Sequence, residues 1–262
     1  MSDTVELHYQ ADGPEDTRPL VILHGLFGSA DNWRSHAKQW QRRRRVVAVD
    51  LRNHGRSPHV AGMSYAAMAD DVIALLDRLQ ITDCDLLGHS MGGKVAMSVA
   101  RLAPRRVASL IVADIAPIAY EHGHDSIFAA MRRVERSRPA SRQEADALMA
   151  EEIDSSATRL FLATNLVREG GVMRWRVGLD EIAADYDAII DVPAGDSPYE
   201  GPALEIRGAQ SPYVPDSTLP ALRAILPNVE IVTLEAGHWV HAEVPKPFRE
   251  AVDAFLEAGE SH

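Results

Sequence analysis

Asp85-Leu86-Leu87-Gly88-His89-Ser90-Met91-Gly92-Gly93-Lys94-Val95-Ala96 decides the fold. A short apolar run ends in Gly-His-Ser-Met-Gly and passes at once into a helical pattern, with Val95, Val99 and Leu102 at i, i+4 and i+7. The spacing predicts a strand, a sharp turn carrying Ser90, and a helix. Side chains at Gly88 and Gly92 would collide across so tight a bend. Strain on the turn lifts the serine hydroxyl over the strand end, and the first helical turn offers unpaired N–H groups to a developing negative charge. Other parallel α/β proteins use Gly-rich turns between strand and helix, so the reading depends on the flanks.

Upstream, Leu20-Val21-Ile22-Leu23 reads as a strand buried on both faces and ends in His24-Gly25-Leu26-Phe27-Gly28-Ser29. A helix is expected around Asp31 to Trp40, a second buried strand over Val46 to Leu51, and a polar loop through Asp50, Arg52, His54 and Ser57. Ser64 is placed to cap a helix with a stripe of Met68, Val72, Leu75, Leu76 and Leu79. Val5 to Tyr9 alternates like an edge strand, and Val107 to Ile115 is another buried one. From Pro117 to about Gly201 only helices are expected: Ile127, Met131, Val134; a capping box at Ser141-Arg142-Gln143-Glu144; Leu160, Ala163, Val167; and Ile182, Tyr186, Ile189. Strands resume at Ala203 to Arg207 and Val229 to Leu234, before a helix with Phe248, Val252, Phe255 and Leu256. The fold class is therefore α/β, a doubly wound, mostly parallel sheet built from 1–116 and 202–262, with a helical insertion at 117–201.

The 262 residues carry 27 Lys and Arg against 38 Asp and Glu, a net charge of −11, which disfavours nucleic acid and stable membrane association. Arg42 to Arg45 follows Trp40 and reads as a solvated helix end. The single cysteine, Cys84, excludes an intrachain disulfide and reads as a buried structural thiol. Met1 to Glu6 has no secretory pattern, and the apolar run Leu110 to Tyr120 is broken by Asp114, so the cytoplasm is the expected compartment. Neither metal-ligand spacing nor a Gly-rich phosphate loop occurs, so no cofactor is expected.

His24-Gly25-Leu26, Asp50-x-Arg52-x-x-Gly55-x-Ser57, Gly88-x-Ser90-x-Gly92 and Gly237-His238 stand in an order that resembles the α/β-hydrolase superfamily over essentially the whole chain. His24 to Ser29, Asp114-Ile115-Ala116-Pro117 and Ser211-Pro212-Tyr213 resemble a branch of small bacterial serine esterases and acyl-thioesterases. The resemblance implies the α/β-hydrolase fold, a lid made by the insertion between strands six and seven of that fold, and hydrolysis of carboxylic esters or acyl thioesters through an acyl-enzyme.

Ser90 needs a base within hydrogen-bond reach. Of eleven histidines, His238 is preferred, because Gly237 lets the loop after the last strand bend over the turn; His241 is the close competitor, expected instead to cap or pack. His24 belongs to the oxyanion loop, His89 packs beside Ser90, and His122, His124 and His262 fall in polar stretches expected to be exposed. Many relatives carry the acid where Ser211 stands here. Asp114 ends a strongly apolar strand, where an unpaired carboxylate would cost several kcal/mol, so it is a helix cap or a functional group. The resemblance makes Asp114 a relocated acid and Ser211 either a fourth member, bonded to His238 or Asp114, or a turn residue before Pro212. Asp216 is the fallback acid, expected to cap the next helix. The oxyanion hole is expected from the backbone N–H groups of Met91 and Leu26, with Phe27 replacing Leu26 if the loop is turned by one residue. Asp50, Arg52 and His54 read as braces.

A dehalogenase or epoxide hydrolase would carry aspartate in place of Ser90. Phe27, Phe128, Phe161, Leu162, Trp175, Tyr213 and Trp239 are candidate pocket walls, though helical spacing explains several equally as core of the insertion. Asn165 and Arg176 are candidates to orient a substrate. Arg132, Arg133, Arg136 and Arg138 could meet coenzyme A phosphates, a charged helix surface being the simpler reading. The same triad also serves C–C bond hydrolysis and cofactor-free perhydrolysis, and a retired hydrolase fold can act as a ligand receptor; ester turnover separates the last.

Overall fold

Alternation along the buried strands divides their side chains between two cores. The computed structural model describes residues 4–260; His262 and the first three residues of the N-terminal stretch lie outside them. The chain runs β1 (Tyr9–Asp12), β2 (Leu20–Leu23), α1 (Arg34–Trp40), β3 (Val46–Val49), α2 (Tyr65–Arg78), β4 (Cys84–His89), α3 (Met91–Leu102) and β5 (Val107–Ala113). The insertion follows as α4 (Asp125–Ser137), α5 (Arg142–Met149), α6 (Ser156–Ala163), β6 (Leu166–Glu169), β7 (Val172–Trp175), α7 (Leu179–Ala184) and α8 (Tyr186–Ile190). Then come β8 (Ala203–Gly208), α9 (Leu219–Ile225), β9 (Val229–Leu234), α10 (Val240–Glu243) and α11 (Pro245–Glu260).

Seven strands form one sheet in the order β1-β3-β2-β4-β5-β8-β9, parallel except for β1. Val21, Leu23, Leu86, Leu110 and Val112 pack on the face covered by α2, α3 and the insertion, while Leu20, Ile22, Leu87, Ile111 and Ile206 meet Trp33, Trp40 and Phe248 on the other. The register pairs Leu23 with Gly88, His89 with Ala113, and Ala113 with Ile206. Residues just past β2, β4, β5, β8 and β9 therefore meet along one edge of the sheet.

Several boundaries differ from the expectation, each for a local reason. Val5 N–H is taken by Asp71 Oδ1 (2.8 Å) and His8 N–H by Ser57 Oγ (2.9 Å), so the edge ladder begins at Tyr9 instead of Val5. The insertion is not all helical: Val167 lies in β6, which pairs antiparallel with β7 around Gly170 and Gly171, at φ 57° and 83°. That Gly-Gly pair suits the two left-handed positions of a tight hairpin turn and was the available signal. In the chain's own sheet the insertion joins the fifth and sixth strands, β5 and β8. Arg44 is not solvated; it is buried with Nη1 3.6 Å from Asp85 Oδ2, while Arg42 and Arg43 are exposed. Cys84 is buried, and burial pushes its thiol pKa up. Among the described residues no helix is long and apolar enough to cross a membrane.

Lys94 is a buried amine in the elbow helix. Its ammonium donates to the carbonyls of Ile118 (2.7 Å), Ile190 (3.3 Å) and Asp191, and lies 4.6 Å from the centre of the Tyr120 ring. Those carbonyls belong to the two ends of the insertion, so one side chain ties both to α3. Burial pulls its pKa from 10.5 to about 7, against the attraction of Asp191. Through that window the unfolded chain holds a proton the folded chain has released, so this group makes stability rise with pH. Denaturant unfolding at about pH 7 and about pH 9.5 checks this: the stability of wild type relative to Lys94→Met is expected to increase at the higher pH, whereas an equal difference at both would refute it.

Candidate active site

Gly88, the last residue but one of β4, passes so closely under α3 that a Cβ there would meet the backbone of Gly92 and lie 2.7 Å from Gly93 N. Between them Ser90 is held at φ 53°, ψ −122°, a strained conformation that stands its hydroxyl above the sheet edge. Directly after β5 stands a second residue of positive φ, Asp114 at 56°. The loop after β9 brings His238 between them.

Ser90 Oγ lies 3.0 Å from His238 Nε2, and His238 Nδ1 lies 2.7 Å from Asp114 Oδ2. Asp114 is fully buried, with its other oxygen accepting Gly208 N–H at 2.8 Å. Ser211 Oγ donates to Asp114 Oδ2, and also accepts Tyr213 N–H at 3.3 Å, so it bonds the carboxylate and shapes the turn at once. It is Asp114, not His238, that Ser211 contacts. The carboxylate thus collects three donors, which offset the cost of burying its charge. Tyr213 stacks on the His238 ring at 4.0 Å. Asp216 is remote in function: its carboxylate is exposed and pairs with Arg207 at 2.7 Å.

The buried histidines packed around the site are structural, and ring bonds fix the tautomers of His24, His54 and His89. His89 donates from Nε2 to the His238 carbonyl (2.9 Å), tying the elbow to the loop that carries the imidazole. Burial, then the nearby His241 and His238 rings, push its pKa well down, so it stays neutral. His241 stacks on Trp33 at 4.5 Å, and burial lowers its pKa to about 3. His54, also lowered to about 3 by burial, donates from Nδ1 to Arg52 O and accepts Phe27 N–H at Nε2 (3.1 Å). That bond occupies the Phe27 amide and leaves the Leu26 N–H as the loop's donor beside the first N–H of α3, from Met91. His24 accepts Leu51 N–H at 3.0 Å, and Asp50 accepts the amides of Ala30 (2.7 Å) and Arg56 (2.9 Å). Arg52 makes a buried two-pronged pair with Asp71, at 2.6 and 2.8 Å.

A cavity of about 480 Å³ opens over Ser90 and His238. Of the expected walls, Phe27, Phe161, Leu162, Tyr213 and Trp239 line it, and so does Leu26 of the oxyanion loop. Phe128 and Trp175 do not. Phe128 sets its edge against the rings of Phe27 (5.7 Å) and Tyr186 (5.2 Å), behind the wall, and Trp175 donates from Nε1 to Met131 O (2.9 Å) within the insertion. His124 was expected to be exposed; it is half-buried, lines the cavity and contacts the Tyr186 hydroxyl, whereas His122 is exposed and pairs with Asp187 at 2.8 Å. Tyr65, Tyr120, Ile115 and Ile189 also line the cavity and were missed, because their partners lie far along the chain.

Asn165 and Arg176 are tethers instead of substrate ligands. Asn165 Nδ2 donates to Phe27 O at 2.6 Å, and Arg176 reaches Asp31 at 3.3 Å, so both join the insertion to the oxyanion-loop region. Arg132 pairs with Asp180 (2.9 Å), and Arg133 with Glu151 and Glu152 (2.7 and 2.8 Å). Among the described residues no group of three or more His, Cys, Asp or Glu side chains is placed to hold a metal.

A family model described as alpha/beta hydrolase fold matches residues 18–245. The sn-1-specific diacylglycerol lipase ABHD11 of Xenopus tropicalis is 42% identical over 265 residues, covering 97% of this chain and 83% of the relative. Esterase YbfF of Escherichia coli K12 is 38% identical over 251 residues, covering 94% of this chain and 96% of the relative. The solved structure of a marine microorganism esterase matches with a TM-score of 0.92 at 38% identity, over 96% of this chain and 100% of that one.

Proposed function

The chain belongs to the α/β-hydrolase family, and from that premise we propose that it hydrolyses small-molecule carboxylic esters through an acyl-enzyme formed on Ser90. The observation that carries this reading is the unbroken line from Ser90 Oγ to His238 to Asp114, at 3.0 and 2.7 Å, opening into an apolar-walled cavity. His238, with its Nδ1 proton held by Asp114, presents Nε2 as the base that takes the hydroxyl proton as Ser90 attacks the acyl carbonyl. The oxyanion is received by the backbone N–H groups of Leu26 and Met91. The imidazolium then protonates the leaving alkoxide, and water repeats the sequence to release the acid. Residues 117–201 act as the lid: they bring Phe161 and Leu162 to the cavity and are fastened at both ends by Lys94. Pairing of Arg132 and Arg133 with carboxylates favours a simple ester over a coenzyme A thioester.

An active-site phosphonate is expected to label one residue per chain, Ser90, with no labelling of Ser90→Ala. A panel of p-nitrophenyl and glycerol esters measured beside acyl-CoA substrates should show turnover of the esters first. Labelling at another residue, or no ester turnover by pure protein, would overturn the assignment and favour a binding role.

A further inference from the structure

A third carboxyl group stands behind the site. Glu205 sits in the middle of β8, opposite Val112 of β5 and Ile231 of β9, and is fully buried between strand neighbours Leu204 and Ile206. Its Oε1 accepts the Asp114 N–H at 3.1 Å, an amide shared with Ile206 O at 2.9 Å, and it also faces the Ile115 amide. Its Oε2 is buried and meets no hydrogen-bond partner among the described residues. An apolar residue would suit this strand position, so the carboxyl needs another explanation.

The explanation lies in the turn it touches. Asp114 leaves β5 in a left-handed conformation and Ile115 continues the chain away from the sheet, so their amides point into the interior just where the ladder ends. Asp114 and Glu205 are both buried, and the Asp114 charge disfavours a second one on Glu205. Asp114 has three donors, from Gly208, Ser211 and His238, whereas Glu205 has only amides on one oxygen.

We propose that Glu205 is a positioning residue for the reaction at Ser90: as a neutral acid it holds the Asp114–Ile115 turn through Oε1 and leaves Asp114 the only anion beneath His238. It acts through Asp114 and touches no reacting atom. The other titratable groups near it are Arg207 on its own strand, engaged by Asp216, and Tyr120 of the insertion, whose hydroxyl donates to Tyr213 O. Burial first, then the Asp114 charge, push its pKa well above the usual carboxylate range. The inference rests on the esterase reading for its consequence on rate, and its protonation state is testable apart from it.

Glu205→Leu and Glu205→Gln separate the possibilities. Loss of the acceptor in Glu205→Leu is expected to lower kcat about tenfold with KM little changed, while Glu205→Gln, which keeps an oxygen for the amides, recovers at least about half the wild-type rate. The acid limb of kcat/KM stays in place in both, because no negative charge has been removed from beside His238. An acid limb moved down by about half a unit or more in Glu205→Gln, or a wild-type kcat in Glu205→Leu, overturns the proposal. Denaturant unfolding gives the reading that needs no turnover. A neutral Glu205 takes up a proton on folding, so the stability of wild type relative to Glu205→Gln is expected to fall as pH rises from about 5 to about 8, and a flat difference overturns the neutral assignment.

Discussion

Asp114→Asn is expected to lower kcat by about 10⁴-fold while the protein stays folded and KM changes little. The carboxylate accepts at both oxygens, from Gly208 N–H on one and from His238 and Ser211 on the other. An amide cannot copy that pattern, because one of its two heavy atoms is a donor. With the amide nitrogen toward His238, the imidazole must turn its Nδ1 into an acceptor, which puts the ring proton on Nε2. That proton then faces Ser90 Oγ, and the base is lost although every atom stays near its place. With the nitrogen toward Gly208 instead, two donors oppose each other in a fully buried site, which costs about 1–3 kcal/mol of stability. Steady-state kinetics on an activated ester, with circular dichroism to establish folding, checks the result. A variant within tenfold of wild type would remove Asp114 from the mechanism, and Asp216 is too exposed and too firmly paired with Arg207 to replace it.

Much of this arrangement was legible in the chain because its signals are local. Gly88, Ser90 and Gly92 sit within five residues, and Asp114 could be singled out because a charge ending so apolar a strand demands a partner. What a partner is, and which way a side chain turns, depends on residues far away. The sequence leaves Ser211 between two roles; in the structure its one hydroxyl bonds both Asp114 and the Tyr213 N–H. Phe128 and Trp175 have the same helical or aromatic character as Phe161, yet only Phe161 reaches the cavity, because the hairpin of β6 and β7 rotates Trp175 inward onto Met131. Arg44 reads in the sequence as part of a solvated helix end, and Lys94 carries no signal of its own there. Their burial becomes evident only when carbonyls from the ends of the insertion, or Asp85 from a neighbouring strand, come within reach. Glu205 carries no signal in the sequence for the same reason: its burial becomes evident only when β8 is found paired on both sides, with β5 and β9.

Gly92→Ala tests the geometry of the elbow itself, with Gly93→Ala as the comparison. A Cβ on Gly92 would lie 2.5 Å from Leu23 O and closer still to His24 O, so it strikes the backbone where β2 becomes the oxyanion loop. Backbone there cannot rotate aside. The strand is paired on both flanks, with β3 and β4, and the loop is pinned by the Leu51 and Phe27 amide bonds to His24 and His54. Relief must come from moving α3 away from β2, which separates the Met91 and Leu26 N–H groups, and a displacement near 1 Å costs about 10²-fold in rate. Overpacking of this kind also destabilises by about 3 kcal/mol. A Cβ on Gly93 would instead press mainly on side-chain methyls, 2.6 Å from Ile115 Cγ2 and 3.1 Å from Val112 Cγ1, with backbone no nearer than Gly88 O at 3.2 Å, a milder overlap, and alanine gains about 1 kcal/mol of helix propensity over glycine. Adjacent glycines in one helical turn should therefore differ sharply: Gly92→Ala loses most of its activity and several degrees of Tm, while Gly93→Ala keeps the larger part of both. Equal losses in the two variants, measured by thermal melts and ester kinetics, would mean that the elbow's closeness to β2 is not what sets the oxyanion geometry.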